Sequence, residues 1–306
     1  MKQFVIYLLI GFFSFVNLLA QKPGAVTIIP FELVGDHIFI KVVVNGSREL
    51  DFLFDSGAGK TIVDSQTAEE LNLLSGRLKK ASGASASFKT PTLKNALITI
   101  GNLQLDKTDL LNSSLAHLED GIGKDFDGII GYHLLKKLVV KINYDTFEIE
   151  IRSAKGFKYT GDGTIVNFKN KTSHPYMDAH MVFPDGDTLM GEFILDTGAG
   201  CGIGLCTPFC KENDLFRKFT DSSSKQTNGF ANGNTTIKSG IIKNLIINEL
   251  NFQEVSTDLY TVDSGFFSSE RPNGLIGNRV LKKFNITFNY REKKTYWEPN
   301  KRFNTP

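Results

Sequence analysis

Cysteine, tryptophan and histidine are scarce in this chain of 306 residues, which holds 3, 1 and 5 of them. Three cysteines cannot staple a fold of this length, so the fold must rest on a packed core and not on a disulfide framework. They crowd together at Cys201, Cys206 and Cys210. A short 201–206 or 206–210 bridge with one thiol left over, or three unbridged small side chains, are both open readings. Their spacing matches no common zinc pattern. The histidines, His37, His117, His133, His174 and His180, are scattered without a ligand pattern, so no metal and no cofactor is expected. Charge of one sign is missing as well. Lys and Arg number 35 against 33 acids, a net charge of +2, which leaves no electrostatic footprint for nucleic acid. Past the first 20 residues, no apolar run approaches the roughly 20 residues that span a bilayer.

Phenylalanine, by contrast, is abundant at 25 residues. β-Branched runs are frequent, long stretches of helical period are few, and glycine punctuates the chain throughout. That combination predicts an all-β protein with few short helices.

The chain says one thing twice. Phe52-Leu53-Phe54-Asp55-Ser56-Gly57-Ala58-Gly59 is answered by Phe193-Ile194-Leu195-Asp196-Thr197-Gly198-Ala199-Gly200. Further on, Leu93–Ile98 is answered by Ile242–Ile247, and Gly128-Ile129-Ile130-Gly131 by Gly274-Leu275-Ile276-Gly277. Leu135-Lys136-Lys137-Leu138 likewise meets Leu281-Lys282-Lys283-Phe284. The order is the same in both halves, which marks an internal duplication. Each half has ordinary domain size and can bury its own core. The linker falls within Lys155–Gly163, giving lobes at 21–158 and 159–306.

Asn45-Gly46 and Asp185-Gly186 are both read as type I′ hairpin turns, whose two central residues need positive φ. Each acidic motif then ends the second strand of a hairpin and leaves through a glycine suited to a sharp bend. Ala81–Thr92 and Thr227–Gly240 are small, polar, glycine-bearing stretches, expected to form mobile hairpins or loops. Asp127 stands before Gly128, whereas Asn273 stands before Gly274; that mismatch argues for a structural role for Asp127.

Residues 1–20 carry one early lysine and an apolar stretch ending at Ala20. They read as a secretory signal peptide, with a retained anchor as the alternative. The expectation is an exported protein, periplasmic or extracellular, free of the membrane after cleavage and able to act as a monomer.

An apolar strand ending in a carboxylate is costly unless something pairs with that carboxylate or uses it. Two such strand ends, with their downstream hydrophobic-hydrophobic-Gly elements, resemble the aspartic peptidases, in particular the bacterial retropepsin-like group with two fused lobes. The resemblance covers nearly the whole chain beyond the N-terminal segment. It implies two barrel-like lobes facing across a cleft, with Asp55 and Asp196 as the catalytic pair at its floor. Ser56 and Thr197 would hydrogen-bond across the lobes, and Gly57 and Gly198 would support the pair. Ser56 replaces the commoner threonine and keeps the hydroxyl. Phe88 and Phe230 are the nearest candidates for a flap aromatic.

The chemistry follows from charge alone. Two carboxylates within hydrogen-bond reach cannot both ionise cheaply, so they share one proton. The ionised partner can then take a proton from water while the other donates to the oxyanion. The expected activity is an endopeptidase acting on a peptide or protein substrate. A non-catalytic protein holding peptide or glycan on the same fold is the competing reading. A glycosidase also needs two acids, at wider separation, but with Trp297 as the single tryptophan there is little to build a sugar platform.

Overall fold

The computed structural model describes residues 26–73, 75–83, 87–219, 223–229 and 233–303. The N-terminal segment read as a signal peptide lies outside them. The chain is mostly β, with 52% strand and 13% helix.

The first half opens with β1 (Val26–Pro30), β2 (Glu32–Val34), β3 (His37–Val44), β4 (Leu50–Phe54) and β5 (Thr61–Val63). Helix α1 (Ser65–Glu70) follows, then the long strands β6 (Ser75–Ser82), β7 (Ser87–Ile100) and β8 (Leu103–Asn112). After α2 (Ala116–Ile122) come β9 (Gly128–Ile130), α3 (Tyr132–Leu135), β10 (Leu138–Asn143) and β11 (Glu148–Ser153). The second half repeats this order as β12 (Thr164–Asn167), β13 (Lys169–Lys171), β14 (His174–Val182), β15 (Thr188–Asp196) and β16 (Ile203–Leu205). It continues through α4 (Thr207–Glu212), α5 (Leu215–Lys218), β17 (Ser223–Gly229), β18 (Gly233–Ile247) and β19 (Leu250–Tyr260). It closes with β20 (Gly274–Gly277), α6 (Asn278–Leu281), β21 (Phe284–Asn289) and β22 (Lys294–Pro299).

The duplication is visible in the sheets. One sheet runs β2-β3-β4-β9-β5-β8-β7-β6 and the other β13-β14-β15-β20-β16-β19-β18-β17. Extra pairings, β3 with β7 and β14 with β18, close each into a six-stranded barrel. A third sheet, β1-β11-β10-β21-β22-β12, takes strands from both halves. Its centre is the pairing of β10 with β21, Val139 opposite Asn289 and Ile142 opposite Ile286. Alternation explains why it holds the lobes together: Val140, Ile142, Ile149, Ile151, Ile286, Phe288 and Trp297 are all buried under the barrels.

One local expectation changes. Asn45 and Gly46 both have positive φ, 52° and 78°, but at 185–186 only Gly186 does, at 91°. There Phe183 N donates to Asp187 O at 2.8 Å, and Gly186 N to Phe183 O at 3.0 Å. These bonds close a wider loop that Asp185 enters without leaving the ordinary backbone region. The stretches at 81–92 and 227–240 take the hairpin form, one of the two expected of them, and their described residues lie largely on the paired strands β6–β7 and β17–β18. Backbone ladder bonds there do not require an apolar alternation. Among the described residues no helix is long and apolar enough to cross a membrane.

Candidate active site

Asp55 and Asp196 leave the ends of β4 and β15, the strands lying at matching places in the two barrels. Both strands are central. β4 runs parallel to β9, Phe54 opposite Ile130, and β15 runs parallel to β20, Asp196 opposite Gly277. Asp55 N donates to Ile130 O at 2.9 Å, so the pairing continues into the motif. A tight turn follows in each lobe: Ala58 N donates to Asp55 O at 3.1 Å and Ala199 N to Asp196 O at 3.4 Å.

The hydrophobic-hydrophobic-Gly elements cross behind these turns at backbone distance. A Cβ on Gly131 would stand 1.8 Å from Asp55 O, and one on Gly277 2.3 Å from Cys201 O. Only glycine fits at either place. Tyr132 N then donates to Ala58 O at 3.0 Å and Asn278 N to Ala199 O at 2.8 Å, tying each loop to its supporting element.

The loops of the two lobes are locked to one another by four hydrogen bonds among buried groups. Ser56 N donates to Thr197 Oγ1 at 2.9 Å and Thr197 N to Ser56 Oγ at 3.0 Å. Ser56 Oγ donates to Leu195 O at 2.8 Å and Thr197 Oγ1 to Phe54 O at 3.0 Å. Both side chains are fully buried.

This lock delivers the carboxyls to one point. A Cβ on Gly57 would stand 2.5 Å from Asp196 Cγ, and one on Gly198 would stand 2.4 Å from Asp55 Cγ. Each carboxyl also accepts from its own loop, Gly57 N to Asp55 Oδ1 at 2.7 Å and Gly198 N to Asp196 Oδ1 at 2.9 Å. All six residues singled out in the sequence, Asp55, Ser56, Gly57, Asp196, Thr197 and Gly198, therefore meet at one place between the lobes.

Burial raises the pKa of both carboxyls, and the negative charge of Asp196 with their mutual hydrogen bond raises Asp55 further. For Asp196 burial also dominates, but the hydrogen bond from Asp55, the Gly198 amide and the nearby His174 oppose it. Both carboxyls are pushed toward the protonated form, and so close a pair titrates as one unit.

His37 and His174 were not singled out as site residues, and the fold gives them a common place. Each begins the strand after a turn, β3 or β14, and each crosses to the opposite lobe. His37 Cε1 lies 2.8 Å from where a Cβ on Gly200 would stand, and His174 Cε1 3.2 Å from the same position on Gly59. His174 is also within hydrogen-bond reach of the Gly57 carbonyl. Burial lowers the pKa of both imidazoles, partly offset by Asp36 and Asp196 for His37 and by Asp196 for His174. The repeated placement of a histidine after the turn, Asp36-His37 and Ser173-His174, was the signal available in the sequence.

A small apolar cluster is repeated in the two lobes. Leu53, Ile129 and half-buried Ala58 stand in the first lobe, and their repeats Ile194, Leu275 and Ala199 in the second. The two hairpins reach across. Phe266 N of the second lobe donates to Gly83 O in the first hairpin at 2.8 Å, and α2 of the first lobe touches β17 of the second. Phe88 pairs with Ala81 in the first hairpin; its side chain and all of Phe230 lie outside the described residues.

Asp127 stands apart from the pair. Its carboxylate accepts from Asp51 N at 2.8 Å, Arg48 at 2.9 Å and Thr67 Oγ1 at 2.9 Å. Asn273 makes the repeated bond, accepting from Glu192 N at 2.9 Å, so the position serves structure in both lobes. Cys201, Cys206 and Cys210 are free thiols, which removes the short bridge from the two open readings. A recess of about 270 Å³ on the six-stranded sheet, lined by Lys141, Arg152, Tyr159 and Glu298 among others, is separate from the aspartates.

Residues 40–134, which hold the first motif, the first hairpin and the first hydrophobic-Gly element, match the family model described as aspartyl protease. That match lies within the first lobe. With two closed barrels of one topology, the chain is consistent with a two-lobed aspartic peptidase. No curated protein matches the chain. The protease family supports a hydrolytic, protease-type function for the paired lobes.

Proposed function

We propose that this protein is an aspartic endopeptidase in which Asp55 and Asp196 activate a water molecule between them. The observation that carries the reading is the convergence of two buried carboxyls, one from each lobe, on one point. Ionised Asp196 takes a proton from the water as its oxygen attacks the scissile carbonyl, and Asp55 donates its proton to the developing oxyanion. The tetrahedral carbon then expels the amine, which leaves with a proton from the pair. The Ser56–Thr197 lock fixes the carboxyl spacing, and the loop amides of Gly57 and Gly198 hold one oxygen of each acid in place. An extended peptide lying under the hairpins would place apolar side chains against Leu53 and Ala58 on one side and Ile194 and Ala199 on the other. We read the N-terminal apolar segment as an export signal, so the substrate would be met outside the cytoplasm.

The test is incubation of residues 21–306 with a mixed peptide library, read by mass spectrometry. Wild type is expected to cut internal bonds, while Asp55→Asn and Asp196→Asn, each folded, cut none. Near-normal turnover by either variant would refute the shared-proton mechanism. Binding of peptides without cleavage by wild type would favour the holding protein over the enzyme.

A further inference from the structure

The loop that carries Asp196 is held from behind by one short stretch of chain. Gly277 N donates to Gly202 O at 2.8 Å, Asn278 N to Ala199 O at 2.8 Å and Arg279 N to Cys201 O at 3.2 Å. The remaining carbonyl of this arm, Gly200 O, is met by a side chain: Arg279 Nη2 donates to it at 2.9 Å. The same guanidinium reaches out of its lobe. Its Nε and Nη2 both donate to Asp36 Oδ2 at 3.2 Å, and its Nη1 donates to Ser256 Oγ of β19 at 3.3 Å. Asp36 belongs to the first lobe's β2–β3 turn. Asn278 Nδ2 donates to its backbone oxygen at 2.7 Å, and Lys282 Nζ meets its carboxylate at 2.5 Å.

A guanidinium suits these three partners. Its planar fork turns Nε and Nη2 toward one carboxylate, the second Nη2 proton toward a carbonyl and Nη1 toward a hydroxyl, whereas a lysine ammonium is a point charge on a flexible stem. An exposed ion pair contributes little, but the Asp36 side chain is only 15% exposed, and Asn278 and Lys282 fix the turn around it. The first lobe has a different arrangement. The repeat that aligns Gly131 with Gly277 sets His133 where Arg279 stands, and Ser173 stands in place of Asp36. His133 Nδ1 bonds Thr61 Oγ1 at 2.9 Å, inside its own lobe, and Ser173 brings no charge. The Asp196 loop is also the one whose own turn bond is longer, 3.4 Å against 3.1 Å at Asp55. The looser turn is the one with the outside clamp.

We propose that Arg279 is a positioning residue for Asp196. Through Gly200 it holds the outgoing arm of the Asp196 loop, and through Asp36 it fixes that arm against the opposite lobe, so that the carboxyl keeps its place beside Asp55. The Ser56–Thr197 bonds hold the loop next to the acid, and Arg279 holds it at its far end. The assignment rests on the peptidase reading above and adds to it a residue that acts through the loop backbone.

The experiment measures kcat and KM on one cleaved peptide, and urea unfolding, for wild type, Arg279→Gln, Arg279→Lys and Asp36→Asn. Lys136→Gln, at the end of the repeated helix α3, is the control. Arg279→Gln is expected to lower kcat by about 10- to 100-fold, the loss that a displacement of up to about 1 Å brings, with KM little changed. Arg279→Lys should recover most of the urea midpoint, because it keeps a charge beside Asp36, but little of kcat, because it gives up the fork that also holds Gly200. Asp36→Asn/Arg279→Gln should lose little more kcat than Arg279→Gln alone, since both act through one contact. Lys136→Gln should leave both constants unchanged. Carboxyl-carbon NMR titration with isotope-labelled aspartate gives a readout independent of turnover. Wild type should show two separated steps for the pair, and Arg279→Gln should bring them closer as the acids move apart. Unchanged kcat and unchanged steps in folded Arg279→Gln overturn the proposal, as does a kcat that follows the urea midpoint through the series, Arg279→Lys included. If Arg279→Gln does not fold, Arg279→Lys decides by the same two readouts. Wild type that shows separated steps but cuts no peptide overturns the peptidase reading, while the titration still decides the part played by Arg279.

Discussion

Removing one hydroxyl, in Ser56→Ala, puts the lobe-to-lobe lock under test. Ser56 Oγ donates to Leu195 O and accepts from Thr197 N, both in the other lobe. Alanine leaves an amide and a carbonyl without those partners in a place closed to water, since Ser56 and Thr197 are fully buried. An orphaned buried group costs about 1–3 kcal/mol. The carbonyl has a second lone pair and lies nearer the bottom of that range, so the sum is about 2–4 kcal/mol. Against a stability of about 5–15 kcal/mol that is a large share. Urea unfolding at neutral pH measures it as a shift in midpoint at constant slope. Thr197→Val removes the mirror pair of bonds and should cost a similar amount. The double variant should fall short of the sum, because the two side chains share one interface. Activity should suffer more than stability does. A displacement of the carboxyls by about 1 Å costs on the order of 10²-fold in rate, so kcat/KM should drop by about that factor at temperatures where the variant stays folded. A loss of less than about 0.5 kcal/mol, with unchanged kcat/KM, would show that the lock does not set the spacing of the pair.

Gly198→Ala places a methyl 2.4 Å from Asp55 Cγ; circular dichroism should show a folded protein and the peptide assay no turnover. Asp36→Asn removes the ion pairs with Arg279 and Lys282; with Asp36 mostly buried and its partners half exposed, the cost should be about 1–2 kcal/mol in urea unfolding, less at high salt. His174→Gln removes an imidazole whose charged form lowers the Asp196 pKa, so the acid limb of the kcat/KM profile should move to higher pH. Asp55 titrates higher in the folded than in the unfolded chain; between those two values the folded state binds the extra proton, and stability falls as pH rises. Asp55→Asn removes that slope, so thermal unfolding should show it gaining on wild type toward neutral pH and not near pH 4, where the unfolded aspartate is itself half protonated; parallel curves would contradict the burial of a shared proton.

The chemistry was legible because it is local and duplicated. Asp55-Ser56-Gly57 and Asp196-Thr197-Gly198 announce a bend that only a strand end can offer, and Gly131 and Gly277 are required by backbone contact rather than by preference. What escaped the sequence depends on contacts between the lobes. Nothing in the string sets His174 beside Gly59, or Asp36 against Arg279, because each contact joins a turn in one half to a loop or helix in the other. The length of the hairpin arms was hidden for a different reason. β7 and β18 run 14 and 15 residues, but serine, threonine, glycine and lysine occupy the positions where apolar alternation would have marked a strand. The turn at Asp185-Gly186 misled because a favoured dipeptide permits the tight hairpin geometry without imposing it.

Duplication by itself yields a symmetric pair, which coupling already makes titrate in two steps but which leaves the shared proton equally placed on either carboxyl. The differences between the halves therefore carry the division of labour. Around the pair itself the hydrogen bonds are matched almost atom for atom, so asymmetry has to enter from outside the motif. Both imidazoles feel the charge of Asp196, but His174 also has the Gly57 carbonyl as a partner, whereas its repeat His37 sits beside Asp36, which pairs in turn with Arg279 and Lys282. Tyr144 OH donates to Asn278 Oδ1 at 2.5 Å, while at the repeated position Tyr290 faces the ring of Tyr132 and no such bond is made. Each substitution keeps the packing and changes one charge or one donor. The outcome is two lobes that fold by the same rules yet present their aspartates with unequal surroundings, the condition under which the two acids of the pair can take different parts.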